Sequence, residues 1–233
     1  MNDDRLLDEQ LDYYRARAGE YDEWWERRGR YDRGGALNAR WHAEISDVRR
    51  VFDTLPLDGD VVELAPGTGY WTDLLVDRCA TVTAIDGSAE MTAVNKARLG
   101  DRSAAVDSLQ ANLFSWVPER EWDLLVSCFW ISHVPVARLA DFLATCRRAL
   151  RPGGTMFFLD GQKVHSSTAV DHTLPDARSE VMVRKLNDGR QFRIVKNFHE
   201  PDALIELADG AGLGLAVDRT DTFFQYGVGR RRP

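Results

Sequence analysis

The chain has no run of eighteen apolar residues and no charged-then-apolar leader, so nothing in it reads as a membrane-spanning helix or a secretion signal. The cytoplasm is therefore the expected compartment, and no membrane is expected as a partner. Cysteine is scarce and odd in number: Cys79, Cys128 and Cys146 show no metal-ligand spacing and cannot form a disulfide framework. Internal repeats and low-complexity linkers are also missing. Positive charge is in deficit, 30 Lys and Arg against 37 Asp and Glu, for a net −7. A surface of that sign repels a phosphate backbone, which sets nucleic acid aside, and the terminal Arg230–Arg232 reads as a solvated tail. What remains, 233 residues with 44% hydrophobic, suits one globular domain acting on a small molecule as monomer or homodimer.

Between Val61 and Gly69 the sequence reads V-V-E-L-A-P-G-T-G, and the next apolar run, V-T-A-I-D, ends on Asp86, 23 positions after Glu63. A short strand, a glycine-rich turn and a second strand ending in an acid form a nucleotide-binding βαβ unit. Glycine lets backbone approach a ligand closely, and an acid ending the second strand can accept both ribose hydroxyls. A dinucleotide turn needs a third glycine, but counting on from Gly67 and Gly69 reaches Thr72. Glu63 is also badly placed for a pyrophosphate, whose charge it would repel; it suits a ligand carrying an amine and a sulfonium.

The turn resembles motif I of the class I S-adenosylmethionine (SAM)-dependent methyltransferases. Four further segments resemble that family in order: Asp86-Gly87-Ser88 with Met91, Gln110-Ala111-Asn112-Leu113-Phe114, Trp122–Ser127, and Leu150-Arg151-Pro152-Gly153-Gly154. Together they cover about residues 60 to 160. Two positions depart from the pattern. Ala65 replaces the first glycine, which a negative φ would tolerate, and Asn112 replaces an Asp while keeping an acceptor for an adenine amine.

The resemblance implies an α/β fold: a Rossmann-like, seven-stranded, mostly parallel sheet with helices on both faces, an N-terminal helical cap and a β-hairpin insertion. One methyltransferase domain is expected, with a helical cap over 1–55, a cofactor-binding core over 56–160, a substrate-cap loop and hairpin over 161–199, and a C-terminal helix and last strands over 200–233. Strands are expected near 60–65, 81–86, 105–110, 122–128 and 154–160, with helices near 70–79, 88–99 and 136–149. Leu37, Trp41, Ile45, Val48 and Phe52 recur at helical spacing before Pro56. V-M-V-R-K-L, N-D-G and R-Q-F-R-I-V-K-N-F read as a hairpin at about 180–198, and Pro201 opens a helix to about Ala211.

The same resemblance implies SAM as cofactor, held by Glu63, Ala65, Gly67, Thr68, Gly69, Trp71, Asp86, Gly87, Ser88, Met91, Asn112, Leu113 and Phe129, with no metal. A magnesium-dependent relative would end its fourth and fifth strands in acids, where this chain reads Ser127-Cys128 and Asp160-Gly161. Tyr14, Tyr21 and Trp25 belong to an aromatic N-terminal segment resembling the lid helix of small-molecule methyltransferases. Tyr14 and Tyr21 lie two helical turns apart, so both can face a sulfonium, and a Tyr hydroxyl there can donate to the cofactor's carboxylate. Burial of that helix on the sheet explains the same aromatics.

Three residues are candidate catalytic groups. His133, in F-W-I-S-H-V-P after the fourth strand, reads as a general base or as a contact to the cofactor's carboxylate. His172 has Asp171 beside it, and Asp160 ends the fifth strand. Arg184, Arg190 and Arg193 in the hairpin suit either an anionic substrate or a solvated edge. The expected activity is methyl transfer to O or N of a small molecule, such as a secondary metabolite in a biosynthetic route. An NAD(P)-dependent oxidoreductase, a quinone-type C-methyltransferase and a cofactor-binding module without catalysis are the alternatives.

Overall fold

The computed structural model describes residues 3–176 and 178–233. Three helices come first: α1 (Asp3–Arg17), α2 (Tyr21–Trp25) and α3 (Gly35–Phe52). Trp41, Ile45, Val48 and Phe52 form the buried stripe of α3, whereas Leu37, one turn earlier, projects beyond the core and is exposed. The chain then alternates through β1 (Asp60–Leu64), α4 (Thr72–Leu75), β2 (Thr81–Asp86), α5 (Ala89–Leu99), β3 (Val106–Gln110), β4 (Trp122–Cys128), α6 (Val136–Ala149) and β5 (Leu150–Gly161). A hairpin follows, β6 (Val181–Lys185) and β7 (Gln191–Val195), and then α7 (Pro201–Gly210), β8 (Leu213–Arg219) and β9 (Phe224–Arg231).

The main sheet has the order β3-β2-β1-β4-β5-β9-β8, and β9 runs antiparallel to both of its neighbours. Alternate residues serve opposite faces, so the central strands β1, β4 and β5 each fill two cores. Val61, Leu124, Val126 and Phe157 pack with the α3 stripe, while Val62, Leu64, Leu125 and Phe158 pack beneath α6 and α7. Because β2 and β4 flank β1 on opposite sides, the strand order reverses at β1. A crevice opens beyond the carboxyl ends of β1 and β4.

Two elements differ from the sequence expectation. The helix expected over 70–79 reduces to α4, because the Arg78 and Cys79 amides share the Leu75 carbonyl, both at 3.0 Å, and close the helix there. β5 starts earlier than expected, at Leu150: the Arg-Pro-Gly-Gly segment forms an irregular stretch where pairing shifts between Trp122 and Leu124. Arg151 pins that irregularity by pairing with Asp60 at 2.8 Å and Asp123 at 2.5 Å.

The cap is built on β7. Tyr13 on α1 packs with Met182, Leu186 and Ile194 of the hairpin in a small separate core. Glu9 receives both the backbone amide and the guanidinium of Arg193. Residues 162–176 carry little regular structure, and donors from the α2–α3 region satisfy carbonyls along 165–169. Arg27 donates to Ser166 O at 2.6 Å, Trp24 Nε1 to Ser167 O at 2.8 Å, and Arg33 to His165 O and Thr168 O at 2.9 Å each. Among the described residues no helix is long and apolar enough to cross a membrane.

Candidate functional site: a cofactor crevice beside a cationic chamber

The turn after β1 is shaped by backbone geometry. Gly67 has φ +57° and gives its amide to Asp86 Oδ2 at 3.1 Å, while Ser88 N reaches Asp86 Oδ1 at 2.8 Å. Gly69 has φ +90°, and a Cβ there would lie 2.8 Å from Asn95 Cγ, so the turn tolerates no side chain against α5. Ala65 corrects an expectation: its φ is +54°, not negative, so an L-residue is held in the left-handed region. Thr72 fills the place of the missing third glycine. Its hydroxyl donates to Glu63 Oε2 at 2.6 Å and accepts from Asn95 Nδ2 at 2.9 Å, fastening β1 to α4 and α5.

Burial shapes the charge of this turn. It pushes Glu63 up to about 7, against the pull of the Thr72 hydroxyl and with help from the nearby Asp86 charge. Burial likewise raises Asp86 to about 6, against the Ser88 and Gly67 amides. Among the described residues neither acid has an ion-pair partner, and Glu63 Oε1 is buried with no hydrogen bond at all. An acidic turn with an orphaned carboxylate oxygen suits a cationic ligand and repels a diphosphate. Leu11 on α1, Met91, Leu113 and Phe114 give the crevice apolar and aromatic walls, and Asp8, Gln10 and Asn112 add polar groups to its lining.

A second cavity adjoins the first across Tyr14, Tyr21 and Phe129, which line both. It has the opposite charge. Arg17, Arg184 and Lys196 all line it, although they are only 5%, 8% and 9% exposed. Arg17 stacks against Tyr21, 4.6 Å from the ring centroid, and donates to the Tyr31 hydroxyl at 3.2 Å. Arg184 donates to Thr168 Oγ1 at 2.5 Å. Among the described residues neither arginine pairs with a carboxylate, and both Nε atoms are buried without a partner. Lys196 alone has an acid, Asp160, at 3.4 Å, and it also donates to Ser132 Oγ at 2.6 Å. Burial alone would raise the Asp160 pKa, but Lys196, His133 and the Ser132 amide outweigh it and hold the carboxyl low. Burial pulls Lys196 down, and Asp160 opposes that pull.

Both ring nitrogens of His133 are engaged. Nδ1 lies 2.7 Å from Val195 O, so it carries the proton; Nε2 lies 2.8 Å from the Tyr14 hydroxyl and accepts from it. Burial, then the Lys196 charge, holds the ring well below the usual histidine range and therefore neutral. His172 sits behind Arg184 rather than on the cavity wall. Its Nε2 accepts Lys185 N at 2.9 Å, and its Nδ1 faces Thr168 at 3.1 Å. Burial, then Arg184, pushes it down to about 3.

The crevice therefore gathers Tyr14, Tyr21, Ala65, Gly67, Asp86, Gly87, Met91, Asn112, Leu113 and Phe129. An adjoining recess gathers Tyr21, Trp25, Glu63, Thr68 and Trp71. Two residues expected at the cofactor stand behind the walls instead: Gly69 against Asn95, and Ser88 as the α5 N-cap, accepting Met91 N at 3.1 Å. Asn112 Oδ1 accepts its own loop's Phe114 N at 2.9 Å. Of the hairpin arginines only Arg184 turns inward, since strand alternation puts it with buried Met182; Arg190 pairs with Asp188 and Arg193 with Glu9. Arg17, Lys196 and Gln10 were missed by the sequence reading. A signal existed for two of them: Leu7, Gln10, Tyr14 and Arg17 recur at helical spacing, so a polar and a charged residue share the lid helix's inner face.

Comparison with known proteins agrees with this geometry. Residues 61–154 match a family model described as a methyltransferase domain. Structures of DhpI, solved in an SAH complex and in a SAM-HEP complex, are 36% identical, cover 98% of both chains, and superpose with TM-scores of 0.76 and 0.77. A ubiquinone biosynthesis O-methyltransferase of Thiobacillus denitrificans is 28% identical over 73% of this chain and 72% of its own. An uncharacterized methyltransferase of Staphylococcus carnosus is 28% identical over 44% of this chain, which spans only 47% of that protein. The orphaned Glu63 oxygen and the glycine turn fit the ammonium and adenosine of SAM, which these findings identify as the cofactor. With its seven-stranded sheet and its acid-bearing turn, the chain belongs to the class I SAM-dependent methyltransferases.

Proposed function

We propose that the protein methylates an oxygen of a small, anionic molecule bound in the chamber beside the cofactor crevice. The observation that carries this reading is the charge of the chamber: among the described residues Arg17, Arg184 and Lys196 are buried against Asp160 alone, which leaves two positive charges without a counter-charge there. Buried unpaired cations cost several kcal/mol, and an oxyanion with two acceptor atoms would relieve that cost.

When bound, SAM supplies an activated methyl group that needs alignment more than further activation. In this reading Asp86 takes the ribose, Glu63 the ammonium, and Asn112 with Leu113 the adenine edge. Tyr21 and Phe129 form the partition against which donor and acceptor are aligned, and closure of α1 excludes water. Arg17, Arg184 and Lys196 would orient the acceptor, with Asp160 holding Lys196 and His172 backing Arg184 as positioning residues. No general base is required of His133, whose one lone pair already accepts from Tyr14. That suits an acceptor oxygen ionised before it arrives, and it disfavours an alcohol or ammonium that must give up a proton.

The test is SAH formation from SAM with matched panels of carboxylates, phosphoryl oxyanions, neutral alcohols and amines. Oxyanions are expected to turn over, and Arg184→Met is expected to raise KM by about 10- to 100-fold, the scale of a charge-assisted hydrogen bond. Equal turnover of neutral alcohols or amines would remove the anionic acceptor from consideration.

A further inference from the structure

Gly161 closes β5, and neither backbone nor packing asks for a glycine there. It pairs with Phe224 in register, and its φ lies outside the left-handed region. Among the described residues, a Cβ on it would meet only the Phe223 carbonyl oxygen, at an ordinary 3.9 Å. Gly227 on β9 shows the contrast: a Cβ there would collide with the Phe158 ring, so packing requires that glycine. Glycine weakens a strand, and in a strand it often marks the close approach of a ligand. Gly161 lines the chamber.

The space beside Gly161 has an aromatic rim. Strand pairing sets it next to Phe224, on the sheet face that carries Phe157 and Leu159. Phe224 packs on Trp41, ring centroids 4.5 Å apart, and on Phe129 at 6.0 Å. Trp24 meets Trp41 edge-on at 5.2 Å and Phe129 at 4.9 Å. Both indole N–H groups are already spent, that of Trp24 on Ser167 O and that of Trp41 on Trp25 O at 3.2 Å, so these rings present apolar surface. Trp24, Trp41 and Phe129 line the chamber together with Gly161. The chamber thus holds an aromatic recess as well as its three cations.

We infer that Gly161 is a specificity-determining residue: the side chain it lacks leaves the recess beside Trp24, Trp41 and Phe129 open to a flat apolar body on the acceptor, and so sets how large that body can be. The acceptor class is then an oxyanion that carries a ring or a comparable hydrocarbon, with its charge met by Arg17, Arg184 and Lys196 and its body by the aromatic rim. The head of the molecule rests on the oxyanion reading proposed above; the body rests on Gly161 and the rim, so the two can fail separately.

Calorimetric titration of phenyl phosphate, methyl phosphate and benzyl alcohol into the SAH-saturated enzyme provides the test, in wild type, Gly161→Val and Gly161→Ala. Wild type is expected to bind phenyl phosphate about 10- to 100-fold more tightly than methyl phosphate, the scale of burying one aromatic ring. Gly161→Val is expected to cut that ratio about tenfold or more, and Gly161→Ala by a smaller factor, with SAH affinity reporting that the crevice is intact. Equal affinity of the two phosphates in wild type would overturn the inference, as would an unchanged ratio in both variants. Benzyl alcohol bound as tightly as phenyl phosphate would count against the oxyanion head alone. Its loss from Gly161→Val would then still support the role of Gly161, and its retention there would overturn it. Should Gly161→Val not fold, the single added methyl of Gly161→Ala decides.

Discussion

The Gln10 side chain locks the lid helix to Val195: its Oε1 accepts the Val195 amide at 2.9 Å, while its Nε2 donates to His133 O at 3.1 Å. One buried amide thus joins α1, β7 and the turn after β4. Gln10→Ala strands the Val195 amide and the His133 carbonyl, which at typical values for unsatisfied buried groups destabilises the protein by about 1–3 kcal/mol. Hydrogen exchange in α1 is expected to accelerate, and SAH affinity to fall, because Leu11 and Tyr14 of the same helix wall the crevice. Unchanged exchange in α1 would show that the glutamine is not the fastening.

The three chamber cations come from α1, β6 and the residue after β7, so their repulsion opposes closure of the cap. An anion between them removes that repulsion and, through α1, tightens the crevice. Millimolar phosphate or sulfate is therefore expected to raise SAH affinity about threefold or more in wild type, and to have no effect in Arg184→Met. Fluorescence titration with and without the salt, at constant ionic strength, separates this from screening. Loss of affinity with added anion would contradict it.

Burial keeps protons on Glu63 and Asp86 up to about 7 and about 6 in the folded chain, above the ordinary carboxylate range. The sign follows from linkage: a raised carboxyl favours folding at low pH, and that contribution is lost as pH rises through the folded values. A cationic ligand stabilises the ionised forms. SAM binding is expected to expel protons, and to tighten up to about tenfold between pH 5 and pH 8. Titration in buffers of different ionisation enthalpy measures the protons released; a buffer-independent heat at pH 6 would refute the coupling.

Ala65 holds φ +54°, which costs an L-residue roughly 1–2 kcal/mol. Glycine relieves that strain and gives back part of the gain as unfolded-chain entropy. Ala65→Gly is expected to stabilise by about 0.5–1 kcal/mol, read as a higher midpoint in urea with an unchanged slope. A lower midpoint would mean that the methyl group contributes packing worth more than the strain.

The cofactor half of the site is legible in local sequence pattern. The acid, the glycines and Asp86 lie within one βαβ unit, where a few residues of spacing dictate geometry. The chamber was mostly hidden, because Arg17, Arg184 and Lys196 meet only when α1 and the hairpin pack together. Arg184 was noticed as a cation, but nothing local distinguished it from Arg190, which pairs on the surface with Asp188 at 2.7 Å. His133 was found by position; its tautomer depends on Val195, 62 residues away. The backbone sign at Ala65 likewise escaped, since alanine advertises no left-handed preference.

The outer wall over 165–169 is hung on guanidinium and indole donors rather than on a strand ladder, as Arg27, Arg33 and Trp24 show. Those anchors grip main-chain oxygens, which every residue type possesses, so the side chains of Ser166 and Ser167 can be exchanged without releasing them, whereas Thr168 is tied to Arg184 through its hydroxyl. Acceptor preference is then adjustable independently of folding: a library randomised at Ser166 and Ser167 would vary the cavity lip while the sheet and its cofactor grip stay constant.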